Sequence, residues 1–228
     1  MASDRAERRL RRLRAGAPLL AVLLAGCAGR PPVLVPPPGG VEAVEGFASA
    51  SISGAEASVK GRFAFLFRRP GLGRVEAVDP LGRTVFLVHF RGGRAWFVLP
   101  SKKAYAEADA ETMMDRILGV VIRPDEVLAL LSGVWPEPGP GGGWTVGRDE
   151  QGRVAKGVRD DFEFAVRAFF RGGAAPREVV LSGPGTTGRL KVLKLAFDPA
   201  ARDAAFETGF LGRYAAKSWE EILELLER

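Results

Sequence analysis

Apolar and polar residues alternate over most of the chain after residue 43, which is the pattern of strands with one buried face. Phe63, Phe65 and Phe67, for example, are separated by Ala64 and Leu66 within a run that Arg62 and Arg68 flank. The pair Gly92-Gly93 indicates a tight hairpin turn. The pattern predicts strands over 44–53, 57–68, 73–79, 83–91, 94–100, 103–107, 143–149, 152–158, 160–170, 177–182 and 188–197.

The period changes to that of a helix in three places. Asp109 can cap a helix over 109–118, and Pro124 at a first turn predicts a second helix over 124–132. Ser218-Trp-Glu-Glu221 is a capping-box sequence that opens a third, over 218–227. We therefore expect one mainly β (α+β) domain over 44–228, a curved antiparallel sheet with helices packed on one face.

The strand predicted at 83–91 is apolar on both faces. Phe86, Val88 and Phe90 share one face, and Val85 and Leu87 share the other. Two interpretations remain open: a sheet covered on each side by a helix or loop, or a sheet curled round an apolar cavity.

The first 26 residues have the layout of a bacterial secretory signal. Residues 1–14 are rich in arginine and residues 17–25 are apolar, and that apolar run is too short to span a bilayer. Leu24-Ala-Gly-Cys27 resembles the lipobox of bacterial lipoproteins, which implies a diacylglycerol and a further acyl chain such as palmitate on Cys27, in the outer membrane and facing the periplasm. An ordinary signal cut after Ala28 is the alternative. Residues 27–43 are rich in proline and predict an extended tether, or else a strap on the domain surface.

The composition excludes several chemistries. One cysteine and one histidine allow no internal disulfide, no His or Cys metal cluster and no Cys-His pair outside the leader. We expect no enzyme, because a carboxylate site would have to use Asp160, Asp161 and Glu163 on a solvated hairpin, and His89 alternates with apolar residues as a structural histidine does. The net charge of +6 comes largely from arginines in the leader and falls to +2 without residues 1–26, so no nucleic-acid partner is expected.

One family resemblance covers about residues 44–133. Gly46-Phe47-Ala48, the strand 62–67, Asp79-Pro-Leu-Gly82 and the segment 110–133 follow one another as they do in the LolA/LolB family, and most closely in its outer-membrane receptor, LolB. The resemblance implies an eleven-stranded half-barrel that helices close like a lid over an apolar cavity. It implies a monomer without cofactor or metal that accepts acylated lipoproteins from a periplasmic LolA-like carrier and inserts them into the outer membrane. A lipid-binding or scaffolding lipoprotein of the same fold, without insertion activity, is the alternative.

The resemblance also implies site residues. Leu81, between Pro80 and Gly82, would lie on a protruding membrane-insertion loop; the alternative is a leucine folded back onto the sheet. The residues expected to line the cavity are each also compatible with plain core packing. They are Phe47, Phe63, Phe65, Phe67, Phe86, Val88, Trp96, Met113, Met114, Ile117, Leu118, Val127, Leu128 and Leu131.

Overall fold

A computed structural model describes residues 34–37, 40–54, 58–135, 143–200 and 202–227. The predicted signal peptide, Cys27 and the first part of the predicted tether lie outside these residues. The strands are β1 (Ala43–Ser53), β2 (Ser58–Arg68), β3 (Leu72–Val78), β4 (Thr84–Arg91), β5 (Arg94–Leu99), β6 (Ala104–Asp109), β7 (Thr145–Arg148), β8 (Val154–Arg159), β9 (Phe162–Phe169), β10 (Pro176–Gly183), β11 (Thr186–Phe197) and β12 (Ala215–Ala216). The helices are α1 (Ala110–Leu118), α2 (Pro124–Ser132) and α3 (Trp219–Glu227).

All the described strands belong to one sheet, in the order β12-β6-β5-β4-β3-β2-β1-β11-β10-β9-β8-β7. Neighbours are antiparallel except β12, which pairs in parallel with β6. β1 lies at the centre because it pairs with its hairpin partner β2 and also with β11, far along the chain. Within the described residues the two outermost strands, β12 and β7, do not pair with each other, so the curved sheet stays unclosed.

In each strand the alternate residues that are apolar point to the inner, concave face of the sheet. α2 packs over β1, β2 and β3, and α1 packs over β5 and β6. Both helices start as predicted: Asp109 accepts a hydrogen bond from the backbone N–H of Thr112 at 2.7 Å, and Pro124 occupies the first turn of α2. None of the helices in the described part of the chain is long and apolar enough to cross a bilayer.

The outer face of β4 to β6 is covered as well. A short 3-10 segment, Gly209–Arg213, places Leu211 against Leu87 and Val98. The chain then forms β12 beside β6 and enters α3, whose Trp219 packs edge-on against Phe97 on the inner face at 5.4 Å. The C-terminal segment therefore covers both faces of the sheet at its β6 edge.

Most of the sequence predictions of elements are confirmed, with boundaries that differ by a few residues. The capping box before α3 is present: Ser218 N–H donates to Glu221 Oε2, and Glu221 N–H donates to Ser218 Oγ. β12 and the 3-10 segments were not predicted, because a two-residue strand and single turns leave no periodic pattern. Val41, at the end of the predicted tether, is buried in the core beside Val44.

Candidate functional site

An apolar cavity of about 170 Å³ lies between the concave face of the sheet and the two central helices. Every side chain that lines it is apolar. β2 and β4 supply its aromatic rings, and α1 and α2 supply the aliphatic side. Such a cavity offers no hydrogen-bond partner to water, so an apolar occupant suits it.

Two glycines give the phenylalanine rings their space. A side chain at Gly73 would meet the ring of Phe67 at 2.8 Å, and one at Gly46 would meet the ring of Phe65 at 2.6 Å. A larger residue at either position would force the neighbouring ring to move. Phe63, next on the same parity, packs on Phe86 with ring centroids 6.2 Å apart.

The structure brings most of the residues predicted for the cavity together around it. From the predicted set, those that line it are Phe63, Phe65, Phe67, Phe86, Val88, Met114, Ile117, Leu118, Val127 and Leu131. The lining residues outside the predicted set are Ala48, Ala50, Ile52, Val59, Val75, Phe90, Leu130 and Leu190. Strand parity was the signal for several of them, since Phe90 continues the face of Phe86 and Val88.

Four residues predicted for the cavity lie elsewhere. Phe47 is 42% exposed on the outer face of β1, on the opposite parity to Ala48. Trp96 belongs to the cluster on the outer face of β5. Met113 and Leu128 are fully buried core residues that do not line the cavity. Phe47 and Trp96 alternate with the inward-pointing residues of their strands, and Met113 and Leu128 lie on sides of their helices that do not border the cavity.

A buried charged cluster fixes the first turn of α2. Glu126 is fully buried and accepts hydrogen bonds from Arg159 Nη1 at 3.0 Å, from Trp144 Nε1 at 3.1 Å and from the backbone N–H of Arg123 at 2.8 Å. The guanidinium of Arg159 also stacks over the Trp144 ring at 4.5 Å. A buried carboxylate needs such partners, and here they tie α2 to the β7–β8 edge of the sheet.

Leu81 stands at the tip of the β3–β4 turn, residues 79–83, which we call the Leu81 turn. Its side chain is 78% exposed, so the buried alternative does not apply. Asp79 Oδ1 accepts from the backbone N–H groups of Leu81 and Arg83 at 2.8 and 2.9 Å, and Gly82 takes the left-handed φ of +80° that glycine adopts readily. Hydrogen bonds from Arg83 hold the pKa of Asp79 below its ordinary value of 3.8, so the side chain is ionised at neutral pH and can accept these bonds.

The polar residues considered for catalysis lie in two parts of the sheet, His89 on β4 and Asp160, Asp161 and Glu163 at the β8–β9 hairpin. His89 is fully buried on the outer face, donates from Nε2 to the carbonyl of Phe206 at 3.0 Å, and has its pKa lowered by burial. Asp160 and Asp161 are exposed at the β8–β9 turn. Among the described residues no group of three His, Cys, Asp or Glu side chains is placed to hold a metal ion.

The solved structures similar to this chain include a domain described as an outer membrane lipoprotein-sorting protein, from Vibrio parahaemolyticus. It is 13% identical, with a TM-score of 0.51 over 75% of this chain and 92% of that domain. A LolA superfamily protein from Nitrosomonas europaea is 11% identical, with a TM-score of 0.49 over 77% of this chain and 94% of its own. No family model and no curated protein matches the sequence.

The first of these similarities shows the fold alone. The chain shares with that sorting domain a mainly β structure, in which a large, curved and unclosed sheet carries helices. This supports the LolA/LolB-like fold that the sequence resemblance implies. A likeness of fold alone does not single out the LolB receptor.

Proposed function

We propose that this protein is an outer-membrane lipoprotein that accepts acylated lipoproteins from a periplasmic LolA-like carrier and inserts them into the membrane. The observation that carries the proposal is the cavity, because its lining is wholly apolar and combines phenylalanine rings with Met114. Methionine and phenylalanine adapt to an acyl chain without offering polar groups that would be left unpaired.

The size of the cavity sets a condition on binding. An apolar cavity of about 150 Å³ holds one benzene-sized molecule, so the 170 Å³ present here admits a short length of acyl chain. A whole chain requires the helices to move away from the sheet. α2 is tied at its first turn by Glu126, and α1 at its last by the hydroxyl of Thr186, which donates to the carbonyl of Leu118 at 2.8 Å.

The Leu81 turn supports the insertion step. Burial of a leucine is worth roughly 1.5–3 kcal/mol, and Leu81 leaves that stabilisation unused in the folded protein. The same amount becomes available when the tip enters the apolar edge of a bilayer. It is enough for a transient contact and too small to anchor the protein.

The remaining parts of the proposal concern the lipid anchor and the driving force of transfer. Cys27 would carry the lipid anchor and hold a monomer on the periplasmic side of the outer membrane, and transfer would run on relative affinity without an enzyme active site, cofactor or metal. The alternative, a lipid-binding or scaffolding lipoprotein of the same fold, is favoured by one observation: the cavity is small while α1 and α2 are both tied down.

The proposal is tested with a substitution that fills the cavity without removing any of its apolar lining. Ala50 lines the cavity, whereas Ser51, the next residue of β1, is exposed on the outer face. The mature chain should bind a fluorescent acyl-chain probe at one site, and Ala50→Phe should weaken that binding about tenfold or more because the added ring occupies the acyl position.

Ser51→Phe is the matched control, since it adds the same ring on the opposite face. It should bind the probe like the wild type, and both variants should keep a cooperative thermal transition. Equal binding by the wild type and a folded Ala50→Phe variant would contradict the proposal. If the protein binds the acyl probe in solution but does not deliver a bound acylated protein to vesicles, the scaffold or lipid-binding alternative is favoured.

A further inference from the structure

The outer face of β2 and β11, the two strands that flank β1, carries four exposed cations. Lys60 and Arg62 on β2 are exposed, as are Lys191 and Lys194 on β11. Within the described residues, none of these four side chains takes part in an ion pair or hydrogen bond. Together with the exposed Phe47 and Leu193, we call these residues the basic patch: Lys60, Arg62, Lys191, Lys194, Phe47 and Leu193.

The strand register brings the members of the patch together. Ser49 is paired with Arg62 on one side and with Lys191 on the other, so those two cations flank one small residue. Phe47, one row along, is paired with Lys194. Leu193 is the extra residue of the bulge in β11 and is 44% exposed. Two exposed apolar side chains therefore lie among four cations.

Beyond the patch, towards β5, the pairing of the arginines is different. Arg68 pairs with Asp203 at 2.6 Å, Arg74 with Glu76 at 2.6 Å and Arg94 with Glu107 at 2.7 Å. Beside the patch, Glu178 is engaged by Arg189 at 3.4 Å. Exposed cations also lie between β8 and β10, at Lys156, Arg167, Arg171 and Arg177. The basic patch differs from them because its cations surround two exposed large apolar side chains, Phe47 and Leu193.

The patch is continuous with the Leu81 turn. Arg62 is paired across β2 and β3 with Val78, the residue immediately before Asp79. Arg83, in the turn itself, is also exposed. A surface that meets the tip of Leu81 can therefore reach Arg62 and Lys60 along the same edge.

From this juxtaposition we infer that the basic patch docks on the phosphate groups of an anionic phospholipid bilayer. Cations near such a surface bind its phosphates, and an exposed phenylalanine and leucine suit the boundary between headgroups and acyl chains. An acidic protein would satisfy the cations, yet it would not explain why the patch continues into a turn that exposes a leucine. The inference rests on the proposed function, because it gives the insertion turn its orientation on the membrane.

The experiment uses the full chain, purified from membranes and reconstituted into vesicles. Cys27 is the only natural cysteine, so Ser49→Cys can carry a donor dye at the centre of the patch, with the unsubstituted chain as the labelling background. Energy transfer to an acceptor on lipid headgroups is measured in phosphatidylcholine vesicles with and without about one third phosphatidylglycerol. Transfer should rise about twofold or more with the anionic lipid, and salt should reverse the rise.

A variant that lacks the four cations of the patch, called the charge variant, and a matched control test whether these cations cause the rise in energy transfer. Lys60→Gln, Arg62→Gln, Lys191→Gln and Lys194→Gln together should abolish the rise. The control removes as many exposed cations from β8 to β10, with the substitutions Lys156→Gln, Arg167→Gln, Arg171→Gln and Arg177→Gln, and should keep it.

Two outcomes overturn the inference: transfer that does not respond to the anionic lipid, and a rise that survives in the charge variant. Loss of uptake from the carrier protein in a charge variant whose transfer is unchanged would make the patch a protein-docking face, and also overturns it. Failure of the acyl-probe experiment with Ala50→Phe, by contrast, would remove the proposed function and leave this result standing.

Discussion

Two turns of this molecule have the same skeleton, Asp-x-x-Gly-Arg, and nearly the same hydrogen bonds. One is the Leu81 turn, between β3 and β4. The other, residues 149–153 between β7 and β8, we call the Gln151 turn. In each, the first aspartate accepts from the backbone N–H groups two and four residues later, at 2.8 and 2.9 Å in the Leu81 turn and at 3.0 and 2.9 Å in the Gln151 turn.

The remaining contacts match as well. In both turns the glycine N–H donates to the carbonyl of the aspartate at 2.9 Å, and the arginine Nε donates to its carboxylate, at 2.7 Å from Arg83 and at 2.8 Å from Arg153. These bonds keep the pKa of Asp79 and of Asp149 below the ordinary value.

The two turns differ at the tip. Pro80 and Leu81 stand where the other turn has Glu150 and Gln151. Because glutamine serves the same backbone equally well, the geometry does not require an apolar residue at this position. An exposed leucine at the tip is therefore free to serve a function, and the comparison can be tested by exchanging the tips.

The largest effect is expected from the exchange itself. Leu81→Gln should slow the delivery of a bound acylated protein to liposomes about 10- to 100-fold, since it removes roughly 1.5–3 kcal/mol of apolar burial from the membrane contact. Binding of the acyl probe and the Tm should not change, because the Gln151 turn shows that glutamine fits. Delivery is measured by separating liposomes from soluble protein.

The control for this exchange is Gln151→Leu, alone and combined with Leu81→Gln. The double variant has the composition of the wild type but carries its exposed leucine on the other turn. It should deliver as poorly as Leu81→Gln. Normal delivery by Leu81→Gln, or rescue by the double variant, would show that the position of Leu81 has no special role.

A smaller effect is expected when the aspartate that begins each turn is replaced. Asp79→Ala and Asp149→Ala remove equivalent hydrogen bonds, so each should lower the Tm by a similar small amount, a few degrees at most, in a thermal melt. Only Asp79→Ala should also slow delivery, because only there does a loosened turn misplace an apolar tip. Equal slowing in both variants would mean that the turns act through general stability.

Much of the fold could be predicted from the alternation of residues and from the helix caps. Those signals are local: Asp109, Pro124 and Ser218 each act within one turn of helix, and the structure places all three as expected. The second Asp-x-x-Gly-Arg turn was equally visible in the sequence as Asp149-Glu-Gln-Gly-Arg153. Of the two turns, only the first belongs to the family resemblance.

The face on which a residue lies was harder to predict. Phe47 and Trp96 are apolar residues on the outer parity of their strands, and only the pairing of those strands shows it. Trp96 is covered because the 3-10 segment near Leu211 returns over β4 to β6, a long-range contact without a periodic pattern. Glu126 and Arg159 meet in the same way, across residues far apart in the chain.

The central claim is that an acyl chain occupies the cavity between α1, α2 and the concave face of the sheet. The most direct test is photo-crosslinking with a fatty acid that carries a diazirine in its chain, followed by mass spectrometry of the labelled peptides. The account predicts labels on the peptides that contain Phe67, Met114 and Leu131, all of which line the cavity. Labels confined to the outer face, or spread without preference over the chain, would contradict it.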